Sequence, residues 1–162
     1  MITTLRPALP DEAELLSELA MGSKAHWGYS PEFMESCREE LKVSSNKISS
    51  PRYFYTVAEK HRRVIGFCAL ERLSASKFEL EALFVEPDHI GSGVGRKLMT
   101  HAKSQALSLG GNSLSIGADP NAEKFYIAAG GTVTGKGESQ SIPGRFLPTL
   151  TIDLTTETTD RP

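Results

Sequence analysis

Three closely spaced glycines, Gly91, Gly93 and Gly95, follow an apolar run that closes with Val85 and Pro87. Residues 84–99, FVEPDHIGSGVGRKLM, read as a strand end, a turn and the start of a helix, with Val94, Leu98, Ala102 and Ala106 on one stripe. The first turn of a helix leaves backbone N–H groups without partners, and the helix dipole adds partial positive charge to them. A strand that feeds a glycine turn at a helix N-terminus therefore makes a seat for an anion, most often a phosphate. Between His89 and Ala118 there is no Asp or Glu, while Arg96, Lys97 and Lys103 are present. In a chain of net charge -2, that local bias suits a ligand rich in phosphate. On its own it would describe only a solvated helix face.

Short glycine motifs differ in what they hold. A dinucleotide fingerprint requires G-x-G-x-x-G, and Arg96 stands where its third glycine belongs. A nucleotide P-loop requires G-x-x-x-x-G-K-[ST]. Residues 130–137, GGTVTGKG, come near it but lack the final Ser or Thr, and the GESQSIPG that ends at Gly144 cannot start a helix.

The elements around the glycine turn follow from periodicity and punctuation. Residues 2–6 predict a short strand, stopped by Pro7 and Pro10. Asp11 is placed to cap a helix through about residue 21, ended by Gly22. Residues 23–29, SKAHWGY, read as irregular. Ser30 and Pro31 open a second helix to about residue 43, and residues 44–51 read as a polar loop. Residues 53–59, 64–72 and 78–85 predict three strands with short links, an antiparallel meander. After the helix of the glycine turn, stopped by Gly110 and Gly111, come a strand over 112–116, a helix over 121–129, and strands over 132–136 and 147–154. The order βααβββαβαββ indicates an α/β (α+β) fold, with a mixed, mostly antiparallel sheet of about seven strands flanked by about four helices. It reads as a single domain over 1–154 with a polar, disordered tail over 155–162.

Bulk properties narrow the function. The balanced charge gives no basic field for nucleic acid, and no apolar run is long enough to span a membrane. Cys37 and Cys68 have no paired spacing and read as reduced thiols, so a cytoplasmic location is expected. No cluster with metal-ligand spacing is apparent.

The stretch from Val85 to Met99 resembles the GNAT superfamily of acetyl-CoA-dependent N-acetyltransferases, whose phosphate loop is written [Q/R]-x-x-G-x-[G/A] after a strand ending V-x-P. Val85-Glu86-Pro87, Gly93 and Gly95 match it, and Ile90 stands at the Gln/Arg position. The second family segment, N-x-x-x-x-F-Y-x-x-x-G, is matched by Asn121, Phe125, Tyr126 and Gly130, with Gly131 where Phe is frequent. The resemblance spans about residues 2–154. It implies that Ile90, Gly91, Ser92, Gly93, Val94, Gly95 and Arg96 bind the pyrophosphate of acetyl-CoA. Leu83, Phe84 and Val85 would pair through their backbone with the pantetheine arm, and Asn121 would touch the cofactor or cap its own helix.

The implied reaction is acetyl transfer to a primary amine of a small molecule or peptide, by direct attack in a ternary complex. A lysine-like amine has a free pKa of about 10.4, so deprotonating it at neutral pH costs roughly 4.6 kcal/mol, and a base is needed. Glu81, then Glu79, are the candidates; plain alternation puts both on the same face of their strand as Leu83 and Val85. The resemblance makes Tyr126 the acid for the departing thiolate, against a plain core tyrosine. His26, Trp27, Tyr29 and Arg145 fall where the acceptor would bind, with loop packing and surface placement as their ordinary alternatives. Dimers are common in the family, so a homodimer is open. A non-catalytic acyl-CoA-binding module or sensor on the same fold is the competing reading.

Overall fold

The structure, a computed structural model, describes residues 2–155. Its strands are Thr4–Pro7 (β1), Tyr53–Lys60 (β2), Arg63–Arg72 (β3), Lys77–Val85 (β4), Ser113–Gly117 (β5), Thr132–Glu138 (β6) and Phe146–Asp153 (β7). Its helices are Ala13–Ala25 (α1), Pro31–Leu41 (α2), Ser45–Ser49 (α3), Val94–Ser108 (α4) and Glu123–Ala128 (α5). The strands form one sheet in the order β1-β2-β3-β4-β5-β7-β6, antiparallel at every joint except β4–β5. The expected meander is β2-β3-β4.

β3 is the centre of the molecule because its sequence is apolar on both faces. Val64 through Leu70 are all buried. Phe67 and Ala69 pack with Val57, Leu16 and Ala20 under α1. Cys68 and Leu70 pack with Leu98, Met99 and Ala102 of α4 on the other side. The sheet thus has helices on both faces, and the glycine turn sits at one end of the strand beside its centre.

Four expectations are corrected. Gly22 does not end α1, which runs on to Ala25 and takes in part of the stretch read as irregular; open space surrounds Gly22, so the residue costs only helix propensity there. Asp11 does not cap that helix: it lies in a 3-10 turn, Pro10–Glu12, and Glu12 accepts the Leu9 N–H (2.8 Å) while pairing with Arg6 (2.8 Å). The polar loop over 44–51 contains α3, capped by Ser44 Oγ accepting from the Lys47 N–H at 3.2 Å.

The fourth correction concerns β4. β3 and β4 pair from Gly66↔Val85 to Ala69↔Ala82, but Leu70 then faces Leu80, leaving Glu81 as an extra residue. This bulge reverses the alternation. Leu83 and Val85 join the α4-side core, whereas Glu81 reaches Lys47 of α3 on the opposite side. The two glutamates therefore do not share a face with Leu83 and Val85.

Thr155 folds back to Asp153, its N–H donating to Oδ1 at 3.0 Å. The rest of the expected tail, 156–162, lies outside the described residues.

Candidate active site

β4 and β5 share only three rungs, Lys77↔Ser113, Phe78↔Leu114 and Glu79↔Ser115. Beyond them β4 stays on β3 as far as Val85, and β5 stays on β7 as far as Gly117↔Thr149. The two strands part like a wedge. Glu86 donates its N–H to Ile65 O at 2.8 Å, so alternation turns the backbone groups of Val85 and Leu83 the other way, into the wedge. Phe84 differs from the expectation: its carbonyl faces β3, 3.0 Å from where a Cβ at Gly66 would stand, and its ring packs on Phe67 at 5.8 Å.

The wedge opens into a cleft of about 1070 Å³ that runs from the glycine turn past Leu83 and Tyr126 to Glu79 and Glu81. At its phosphate end, Gly91 (φ 86) and Gly93 (φ 93) adopt the left-handed conformation, which suits glycine. Gly93 directly precedes α4. Among the described residues the N–H groups of Val94, Gly95 and Arg96 meet no backbone acceptor, while Lys97 donates to Gly93 O at 3.0 Å. The Ile90 and Ser92 N–H groups bond back within the turn, to Pro87 O (3.3 Å) and His89 O (3.2 Å). Ile90 therefore offers an exposed side chain to the cleft rather than a donor. Arg96 lines the cleft and makes no ion pair among the described residues. Lys97 is held by the Thr3 carbonyl and Lys103 donates to Ala129 O at 2.6 Å.

Across the wedge, α5 buries Tyr126 against Phe125 in an edge contact with ring centroids 5.1 Å apart. Tyr126 lines the cleft, and its hydroxyl has no hydrogen-bond partner among the described residues. Burial, with Cys68 and Asp119 adding, pushes its pKa well above the usual phenol value, so it is a neutral O–H at physiological pH. Burial pushes the Cys68 thiol up to about 12, which makes it an inert core residue.

Asn121 is not a cap. Asp119 caps the 3-10 turn Pro120–Ala122 that leads into α5: its Oδ1 accepts from the Asn121 N–H and from Asn121 Nδ2, both at 2.9 Å. Asp119 Oδ2 accepts from Tyr29 Oη (2.8 Å) and Lys24 Nζ (3.2 Å), and Arg145 donates to Tyr29 Oη at 2.9 Å. Tyr29 stacks on Phe33 at 4.2 Å, with the Arg145 guanidinium 4.9 Å from the Phe33 ring. Of the expected acceptor residues, Trp27 lines the cleft, half-exposed. Tyr29 and Arg145 stand behind its wall in this network, and His26 only touches Trp27, with ring centroids 5.7 Å apart. Sequence reading missed Lys24 and the central part played by Asp119.

At the acceptor end the carboxylates are unequal. Glu81 pairs with Lys47 (3.1 Å) and Glu71 with Arg52 (2.6 Å). Glu79 has no cation partner among the described residues. Burial, then its neighbours Glu81 and Glu71, hold its pKa above the ordinary carboxylate value. Among the described residues no group of acidic, His or Cys side chains is arranged to hold a metal.

A splayed strand pair, unpaired N–H groups at a glycine-led helix, and a neutral phenol facing a free strand edge define a transferase of thioester-bound acyl groups. The chain belongs to the acetyltransferase (GNAT) family, whose domain model matches residues 23–141. It is 30% identical over 115 residues to the peptidyl-lysine N-acetyltransferase YjaB of Escherichia coli K12, covering 71% of this chain and 73% of that protein. Its fold superposes on the PaiA N-acetyltransferase of Thermoplasma acidophilum in complex with coenzyme A, with TM-score 0.75, 20% identity and 94% and 99% of the two chains covered. It also superposes on an aminoglycoside 6'-N-acetyltransferase complexed with coenzyme A, with TM-score 0.71, 16% identity and coverage of 95% and 97%. The chain is a GNAT-type N-acetyltransferase with acetyl-CoA as its acyl donor.

Proposed function

We propose that the acceptor is a primary alkylamine of the lysine type, carried by a peptide or small molecule, and that it attacks the thioester directly in a ternary complex. Similarity to a peptidyl-lysine N-acetyltransferase supports the class of acceptor. The observation that carries the reading is the juxtaposition, across one cleft, of the free β4 edge at Leu83 and the unpartnered Tyr126 hydroxyl.

Bound acetyl-CoA supplies an acetyl group activated as a thioester. The N–H groups of Val94, Gly95 and Arg96, with the Arg96 guanidinium, are the donors for its phosphates. Leu83 and Val85 offer the backbone groups that an extended arm pairs with, in the manner of an added strand. The wedge-facing Leu83 N–H is the donor for the carbonyl oxygen as it gains charge. Tyr126 gives its proton to the departing sulfur. Glu79, unpaired and with a raised pKa, is better suited than the lysine-bound Glu81 to accept a proton from the incoming ammonium at neutral pH. Asn121, tied to Asp119 and Tyr29, positions the loop beside the cofactor. The domain is taken as residues 1–154, acting in the cytoplasm, where its free cysteines Cys37 and Cys68 stay reduced.

Thiol release from acetyl-CoA tests this, with lysine peptides, free lysine, polyamines, aminoglycosides and peptides bearing only an α-amine. Turnover with lysine-type amines is expected. Thermal stabilisation by CoA with no turnover across the panel would instead establish a non-catalytic acyl-CoA-binding module.

A further inference from the structure

One amine already stands at the acceptor end of the cleft, and the chain itself supplies it. Lys47 lies on α3, whose first turn is fixed by Ser44 Oγ. Its Nζ donates to Glu81 Oε1 at 3.1 Å and lies 5.1 Å from the centroid of the Tyr53 ring. A carboxylate on one side and an aromatic face on another form the environment that holds an alkylammonium. Four lysines border the cleft: Lys24, Lys42, Lys47 and Lys103. Lys24 is bound to Asp119, and Lys103 donates to the Ala129 carbonyl. Of these four, only Lys47 meets a carboxylate of β4, the strand whose next wedge-facing backbone donor is Leu83.

We propose that Lys47 is a self-acetylation site, modified within its own chain by the same cleft; this rests on the acetyltransferase reading above. Glu81 takes one proton from the ammonium. The neutral Nζ forms the N–C bond to the acetyl carbon as the C–S bond breaks. Tyr126 protonates the departing sulfur, and the second nitrogen proton restores the phenol through solvent. Glu81 then releases its proton, so one proton leaves per acetyl group transferred. The product has no charge at Nζ, so the Lys47–Glu81 ion pair is lost and Glu81 is open to an external ammonium. Lys47 would thus occupy the acceptor position until it is acetylated.

Incubation of the full chain with acetyl-CoA alone, followed by peptide mass spectrometry, tests the proposal. One acetyl group on Lys47 is expected, forming ahead of acetylation at Lys42 and Lys60, with a rate per molecule independent of protein concentration. The rate should fall at least tenfold in Tyr126→Phe and, if that variant fails to fold, in Glu81→Gln. Equal labelling of Lys47 in urea-unfolded chain, or labelling no faster than at Lys60, would overturn it as non-enzymatic chemistry. Turnover of external amines with Lys47 unmodified would overturn self-acetylation while leaving the acetyltransferase reading intact. Absence of both would overturn the two together.

Discussion

Glu79 faces Ser115 on the last rung that β4 and β5 share, and the other residues these two strands give to the cleft, 80–85 and 116–117, lie beyond that rung. Sheet pairing ends there while each strand keeps its outer neighbour, so the wedge is backed by a continuous ladder on both sides. The cleft is therefore rigid at its apex and open towards the glycine turn. Glu79 sits at the apex, half-buried and with negative neighbours close.

That position gives Glu79 a pH signature. Its folded pKa is raised above the unfolded value, so the folded state binds the proton more tightly. The charged form at neutral pH costs stability, and the cost disappears as pH falls through the raised folded value. Glu79→Gln should accordingly be more stable than the parent at pH 7, with the gain shrinking on acidification. Denaturant unfolding at several pH values measures it. If Glu79 is the base, the same variant should lose ~100-fold in kcat. A gain in stability that is flat with pH would show that desolvated charge is not the cause.

Tyr126 separates chemistry from stability in a second way. Its hydroxyl makes no hydrogen bond within the protein among the described residues, so Tyr126→Phe removes no partner from anything. The melting temperature should stay within a few degrees of the parent, since surroundings and ring packing are retained. The rate should fall by ~100-fold or more, because the departing thiolate loses its proton donor. A fall in kcat that is fully accounted for by unfolded protein would assign Tyr126 to the core alone.

Much of this arrangement was legible in the sequence, for identifiable reasons. Proline and glycine punctuation located β4, α4 and α5, and the two motifs set Tyr126 and Gly95 in one frame. Gly131 also has a local cause: a Cβ there would stand 2.8 Å from Tyr126 O, so this chain has no room for the family's frequent Phe. What stayed hidden depends on partners distant in the chain. The Glu81 bulge is a property of the pairing between β3 and β4, and one extra residue leaves no mark in composition. α3 was hidden because the run SSNKISS has the polarity of a loop and gains its helix from a cap and one buried side, Ile48. Lys24 and Asp119 are 95 residues apart, and only the fold makes them a pair.

The glycine turn makes a prediction about two neighbours that look alike in the sequence. Gly93 has φ 93, where an L side chain is strained; Gly95 has ordinary helical geometry, with 3.5 Å between a built Cβ and the Phe125 ring. Gly93→Ala should cost ~1–2 kcal/mol and weaken CoA binding by distorting the donors that follow. Gly95→Ala should fold at least as well as the parent, by up to ~1 kcal/mol from helix propensity. Melting curves with and without CoA distinguish the two. Equal destabilisation would mean that packing at the phosphate loop, and not backbone conformation, governs both sites.

Asp119 is the residue whose loss should reach furthest. It accepts from Asn121, Tyr29 and Lys24, and Arg145 approaches it to 3.8 Å, so one carboxylate joins α1, the turn before α5 and the loop before β7. Burial opposes its ionisation, yet hydrogen bonds from Asn121 and Tyr29 and the charge of Lys24 hold its pKa below the ordinary aspartate value. Its stabilisation is therefore present above the unfolded value and is lost as pH falls through the lower folded value. Asp119→Ala leaves the partly buried Lys24 and Arg145 side by side without a counter-charge, and should cost ~3 kcal/mol at pH 7. The gap from the parent should begin to narrow below about pH 4, where the unfolded chain's carboxylate takes up its proton, and should finish narrowing as pH falls through the lower folded value. Because the network holds Tyr29 and Arg145 behind the acceptor wall and reaches the cofactor side only through Asn121, KM for the amine should rise more than KM for acetyl-CoA. Unfolding at pH 7 and pH 3, with steady-state kinetics in both substrates, tests the two parts separately. A pH-independent gap would remove the charge argument, and an equal rise in both KM values would show that the network supports the whole cleft.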